Sequence, residues 1–227
     1  MKERLDRINK RIADAAIGCG RIPETVRLVV VSKTIDADRV AEAIDAGAAI
    51  LGENYIQEAR DKFTTLYGRP VQWHFIGHLQ SNKAKYAVRM FDLIHSVESL
   101  KLARALDKEA RKNGKVQDIL IQVNISREET KSGVAETGAV ELIVQISGLE
   151  NVRVKGLMTM PPFFDAPEQA RPFFRQLARL RDRIVERSIP RVSMQELSMG
   201  MTGDFEVAIQ EGATLVRIGT AIFGTRP

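Results

Sequence analysis

The chain has 227 residues, with 34 Lys and Arg against 29 Asp and Glu, a formal net charge of +5 and 44% apolar residues. That mixture suits a globular protein and excludes a disordered chain, a collagen or a disulfide scaffold. No apolar run approaches the roughly 18 residues of a spanning helix, Met1–Arg11 alternates charges unlike a signal peptide, and the single Cys19 has no internal disulfide partner, so a reducing cytoplasm is expected.

Residues Glu3–Ile17 place Leu5, Ile8, Ile12 and Ala16 on one helical face, stopped by Gly18 and Gly20. Leu28–Val31 is a β-branched run that reads as a strand buried on both faces. It runs into Ser32-Lys33-Thr34 and an amphipathic helix over Asp36–Ala46. The unit then recurs. Strands at Ala49–Leu51, Val71–Ile76, Leu93-Ile94 and Ile119–Val123 precede helices at Ile56–Leu66, from about Ser81, at Ser99–Lys112 and around Gly138–Ile146. Val152–Leu157 leads to a long helix Ala166–Arg187, Glu196-Leu197 to a helix Phe205–Glu211, and Thr214–Ile218 to Gly219-Thr220. Nothing is expected beyond that last strand, since only seven residues follow Thr220.

Eight strands alternating with helices imply a parallel sheet. The fold expected is α/β, a single (β/α)8 TIM-like barrel with an extra N-terminal helix, spanning residues 1–227 as one domain. An open doubly wound sheet is the alternative.

In such barrels the C-terminal strand ends form the active face. Lys33, Asn54, His78, Ser96, Asn124, Thr159, Ser198 and Arg217 gather there, with Gly219 and Thr220. As a set they suit a polar ligand. Lys33 ends a Val-Val-Val strand. There, desolvation or a second cation yields a neutral amine able to form a Schiff base; alternatively it snorkels outward or pairs with an acid such as Glu53. Arg217 points inward along an alternating strand, and the Gly-rich, hydroxyl-bearing turns at Ser198–Gly203 and Gly219-Thr220 suit a phosphate, or are simply tight turns.

His74 and His78 share no helical face and lack an acidic partner, so no metal site is expected. Cys19 has no activating partner for nucleophilic chemistry. The methionine pairs Met158/Met160 and Met199/Met201 read as packing. Basic residues interleaved with acids read as solvated helix faces, and neither nucleic acid nor membrane is expected as a partner.

The stretches Val30-Val31-Ser32-Lys33-Thr34, Gly52-Glu53-Asn54-Tyr55-Ile56-Gln57-Glu58 and Trp73–Lys83 resemble the pyridoxal phosphate homeostasis protein family. So do Gly156–Met160, Leu197–Met201 and Val216–Gly224. The match runs from about Leu28 to Gly224. The resemblance implies a barrel similar to the N-terminal domain of alanine racemase, with pyridoxal 5′-phosphate (PLP) carried on Lys33 as an internal aldimine. It also implies Arg217 facing the pyridine nitrogen, Ser198, Gly219 and Thr220 near the phosphate, and Asn54 beside the cofactor. Thr202-Gly203 departs from the Ser and polar residue expected there. An arginine beside the ring nitrogen stays protonated and keeps that nitrogen unprotonated, which weakens the cofactor as an electron sink. The expected function is therefore intracellular PLP homeostasis, as a monomeric carrier or buffer without efficient amino-acid turnover, with PLP-dependent apoenzymes as recipients. A racemase-type enzyme is the alternative, although the chain leaves no second domain to supply its second base. Should attachment lie elsewhere than Lys33, Lys131 in the loop Arg127–Gly133 is the next lysine to consider.

Overall fold

The computed structural model describes residues 1–126, 128 and 132–224. Helix α1 (Lys2–Gly18) buries Leu5, Ile8, Ile12 and Ala16, the stripe read from their spacing, and packs on the last two helices of the chain. Then strands and helices alternate: β1 (Arg27–Val31), α2 (Ala37–Asp45), β2 (Ile50–Glu53), α3 (Ile56–Thr65), β3 (Gln72–Phe75), α4 (Ala84–Met90), β4 (Leu93–Val97), α5 (Leu100–Lys112) and β5 (Gln117–Asn124). After a two-residue strand β6 (Val134–Ala135) come α6 (Glu136–Ser147), β7 (Val152–Met158), α7 (Arg171–Glu186), β8 (Val192–Ser198), α8 (Phe205–Gln210), β9 (Leu215–Ile218) and α9 (Thr220–Phe223).

Hydrogen bonding runs β4-β3-β2-β1-β9-β8-β7-β5, and β4 pairs again with β5. That last pairing closes an eight-stranded parallel barrel and excludes the open doubly wound sheet. The strand β6 only extends the end of β5, with Val123 beside Val134. Most of the core lies between strands and helices, where Phe75, Phe91, Phe174 and Phe205 are fully buried; each such side chain contributes roughly 1.5–3 kcal/mol.

Inside the ring a smaller apolar layer is formed by Val29, Ile50, Leu93, Leu120, Met158 and Leu215, one each from β1, β2, β4, β5, β7 and β9. Side chains two residues further along a strand return to the same face. His95 follows Leu93 in this way, and Arg217 follows Leu215. The barrel interior thus changes from apolar to polar toward the C-terminal strand ends.

Three local readings are corrected. β4 continues through His95 and Ser96 to Val97, because the sheet turns polar inward there instead of stopping. β8 begins at Val192, four residues before Glu196. The last strand is followed by a one-turn helix, α9, whose Ile222 and Phe223 are buried. The methionines also divide: Met158 and Met199 are fully buried, whereas Met160 is 42% exposed.

Candidate functional site

β1 and β9 are neighbours in parallel register, with Val29 beside Arg217 and Val30 beside Ile218. The turn holding Lys33 and the turn holding Gly219-Thr220 therefore leave the barrel side by side. The approach is close: a Cβ on Gly219 would lie 2.9 Å from the Val31 carbonyl oxygen, which favours glycine there. Lys33 sits two residues past β1, partly buried, and the next residue, Thr34, has φ 63°, a left-handed conformation unusual for a β-branched residue.

Arg217 is 3% exposed and bonds inside the barrel. Its Nη1 donates to Ser198 Oγ at 2.6 Å and its Nη2 to the Thr159 carbonyl oxygen at 2.9 Å. Thr159 is pinned in turn, donating from Oγ1 to the Val123 carbonyl oxygen at 2.9 Å. Among the described residues no carboxylate lies within ion-pair distance of Arg217. Burial lowers its pKa to about 10, partly offset by the charge of Asp204, so the guanidinium stays positive at neutral pH. Asp204 itself accepts from the Met201 N–H at 2.6 Å and shapes the turn after β8.

Beneath Arg217 runs a buried hydrogen-bonded row. Ser198 Oγ lies 2.8 Å from His95 Nδ1, and His95 Nε2 lies 3.0 Å from His74 Nδ1. Either direction of donation along this row leaves both imidazoles neutral and engages both ring nitrogens of His95. Burial holds His74 down to about 3, and it lowers His95 well below the usual histidine range, helped by His74 and Arg217.

Unfolded histidine takes a proton below about pH 6.5, whereas folded His74 does not until about pH 3. Stability is therefore lost as pH falls through this window, by about 1.4 kcal/mol per pH unit for His74 alone. His95 acts in the same sense. Glu53 and Asp204, both raised by burial, act oppositely near the carboxylate range. Urea unfolding at pH 7 and pH 5 should show lower stability at pH 5, by roughly 2 kcal/mol from His74, and His74→Gln should shrink the difference. Equal stability at both pH values would contradict neutral buried imidazoles.

Asn54 follows β2 and packs against Gly77, where a Cβ would fall 2.2 Å from the Asn54 carbonyl oxygen. Its Oδ1 is buried without a hydrogen-bond partner. The two residues help line a cavity of about 420 Å³ at the ends of β2 and β3, together with Tyr55, Gln57, His78 and Lys83. His78 is exposed, 3.5 Å from Glu98, and Glu98 also accepts from the Gly133 N–H at 2.7 Å.

The structure thus gathers Ser198, Arg217 and Thr159 into one network and sets Val31, at the end of β1 that leads to Lys33, beside Gly219. Ser198 is fully buried with its hydroxyl committed to Arg217 and His95. Thr220 is exposed at the start of α9. Ser96 lies within β4, its buried hydroxyl without a partner. Lys131 lies outside the described residues.

The alternative pairing of Lys33 with Glu53 is not seen: Glu53 Oε1 accepts from Ser32 Oγ at 2.6 Å and from Lys62 Nζ at 2.8 Å. Lys62 was not singled out from sequence. The signal was a lysine in the inward stripe Ile56, Ala59, Lys62. His95 does not stand out in the sequence as an interior residue because the apolar run ends at Ile94, three residues before β4 does.

Comparison with known proteins places this architecture. The family model described as "Alanine racemase, N-terminal domain" matches residues 5–227. The pyridoxal phosphate homeostasis protein of Aquifex aeolicus is 46% identical over 224 residues, covering 99% of this chain and 97% of that protein. The chain belongs to the pyridoxal phosphate homeostasis protein family. Another similar chain is PipY of Synechococcus elongatus, 35% identical. Its structure without PLP has a TM-score of 0.88, covering 99% of this chain and 100% of that one; its structure with PLP bound has a TM-score of 0.82, covering 94% and 100%. Alanine racemase of Clostridium difficile, 16% identical with a TM-score of 0.72, covers 97% of this chain and 56% of that one, and shares the fold. In this chain Asn54 and Gly77 meet at one cavity, and Val31 and Gly219 at one seam.

No helix among the described residues is long and apolar enough to cross a membrane.

Proposed function

We propose that this chain binds PLP covalently through Lys33 and holds it for intracellular supply, without proficient amino-acid turnover. The observation that carries the reading is the β1–β9 seam, which sets the Lys33 turn beside the Gly219-Thr220 turn, with a buried, positively charged Arg217 on β9 that has no carboxylate partner among the described residues. A buried cation of this kind is costly unless something polar completes it. The residues fit the cofactor. Asn54 Oδ1 is a buried acceptor without a donor. Gly219 carries no side chain where the turn after β9 passes the end of β1, and Thr220 adds an exposed hydroxyl beside it.

Lys33 supplies the amine, Arg217 the donor toward the ring nitrogen, and Gly219 and Thr220 the phosphate side. Ser198 contributes by fixing Arg217, and Asn54 offers an acceptor beside the cofactor. PLP, when bound, supplies an aldehyde for the lysine and a ring that withdraws electrons. Arg217 limits the second of these. It is charged at neutral pH, so a proton on the adjacent ring nitrogen would set two cations together in a buried site. That favours holding over carbanion chemistry. PLP-dependent apoenzymes are the proposed recipients, a monomer in the cytoplasm the proposed state; the free, exposed Cys19 suits a reducing compartment.

The test is an absorbance spectrum of the purified protein after addition of PLP, then borohydride reduction and peptide mapping. A yellow protein with a pyridoxyl phosphate group fixed to the Lys33 peptide is expected. A colourless product, or a label elsewhere, would refute the reading. Deuterium exchange at the α-carbon of D- and L-alanine at the rate of a true racemase would replace holding with catalysis.

A further inference from the structure

We propose that Lys62 is a positioning residue for Lys33: its ammonium, seated between Glu53 and Glu58, clamps the backbone on both sides of the attachment lysine. The inference deepens the reading of Lys33 given above and rests on it for its consequence, but not for its geometry.

Lys62 lies on the barrel-facing side of α3 and is only 4% exposed. An ammonium has three protons to donate, and all three have acceptors. Nζ donates to the Ser32 carbonyl oxygen at 2.5 Å, to Glu53 Oε1 at 2.8 Å and to Glu58 Oε1 at 2.6 Å. Each acceptor leads to the Lys33 turn. Ser32, immediately before Lys33, is held by its carbonyl through Lys62, by its hydroxyl through Glu53 and by its N–H through the Gly52 carbonyl oxygen at 3.1 Å. Thr34, immediately after Lys33, donates its N–H to the same Glu58 oxygen that Lys62 binds. Thr34 sits at φ 63°, a conformation that a threonine keeps only when its surroundings impose it.

A buried charge cluster of this kind is a poor device for stability alone. Desolvation consumes much of the attraction, and well-packed apolar side chains of equal volume often do as well. What an apolar residue in this slot lacks is the ability to hold a carbonyl and two carboxylates in one arrangement. Positioning has a use here. In the condensation the neutral Lys33 nitrogen adds to the aldehyde carbon to form the C–N bond, and the aldehyde oxygen leaves as water with the two nitrogen protons. With Gly219 and Thr220 as the proposed phosphate side, the amine would have to meet a carbonyl held at a set distance. A turn free to wander dilutes the productive geometry.

The experiment uses the full chain with Lys62→Met, which keeps volume and removes the donors, and Glu58→Gln, which keeps shape at a position whose side chain is 27% exposed. Hydrogen–deuterium exchange is measured on ligand-free protein, and PLP half-saturation from visible absorbance with borohydride mapping. In folded Lys62→Met, exchange at residues 32–35 should rise about tenfold or more while the β5 and β7 peptides stay protected, and half-saturation should rise by a similar factor with the label still on Lys33. Glu58→Gln should move both readouts the same way by a smaller factor, and it decides the matter if Lys62→Met does not fold. Unchanged local exchange, exchange raised throughout the barrel, or half-saturation within about twofold of the parent would each overturn the proposal. A parent protein that PLP does not label refutes the functional reading instead, and the ligand-free exchange still judges the clamp.

Discussion

Lys33→Ala yields a folded, colourless protein that borohydride can no longer label with PLP. Lys33 stands in a turn beyond the end of β1 and adds nothing to either hydrophobic cluster. Its truncation should therefore change stability by less than about 1 kcal/mol. The chemical effect is complete, because the C–N bond requires that amine. Non-covalent affinity survives in part, since Arg217 and the Gly219-Thr220 turn are untouched. Circular dichroism, a thermal melt and the absorbance titration check all three statements. A variant that still turns yellow and still traps the cofactor would move the attachment to another lysine.

Arg217→Met separates binding from folding. Two charge-assisted hydrogen bonds are lost, to Ser198 and to the Thr159 carbonyl oxygen, each worth roughly 1.5–3 kcal/mol. Against this, a guanidinium that burial already disfavours no longer has to be desolvated, a relief of several kcal/mol by the usual order of magnitude. Methionine fills most of the space and Ser198 keeps His95 as a partner. The terms nearly cancel, so stability should change by no more than about 2 kcal/mol. Affinity for PLP has no such compensation: losing a charged donor toward the ring should cost about ten- to hundredfold. Melting curves alongside PLP titrations give both numbers. Unaltered affinity in a folded variant would remove Arg217 from the cofactor's contacts.

Much of the barrel was legible because its parts announce themselves locally. Leu28–Val31 and Ile119–Val123 are runs that only a doubly covered strand buries, and α1, α2 and α5 carry apolar stripes at helical spacing. Lys33 and Arg217 stood out by contrast, as cations at the ends of apolar strands. Legibility failed where the determining partner is distant in sequence. The β4 segment Leu-Ile-His-Ser-Val looks finished after Ile94; only the ring supplies His74 and Ser198 to satisfy His95. Lys62 stands in the inward stripe of α3, yet its role shows only once β1 and β2 bring Ser32 and Glu53 to it. The left-handed turn at Thr34, the two residues of β6 and the single turn of α9 are too short to leave any periodic trace. Met160 departs from the packing reading because it lies two residues past the end of β7 and is exposed, whereas Met158 and Met199 are buried.

The seam between the first and last staves has a consequence for how the protein comes into being. Every other neighbouring pair in the ring joins segments nearer in the chain, whereas β1 must wait for β9. A contact of such long range carries a large loop-closure cost and belongs to the late stages of assembly. The amine and the guanidinium lie on either side of this seam, so a partly synthesised or misassembled chain presents one without the other. With Lys33 as the proposed attachment point, competence to capture the vitamin would arise only as the cylinder shuts, and colour on titration would become a readout of completed folding.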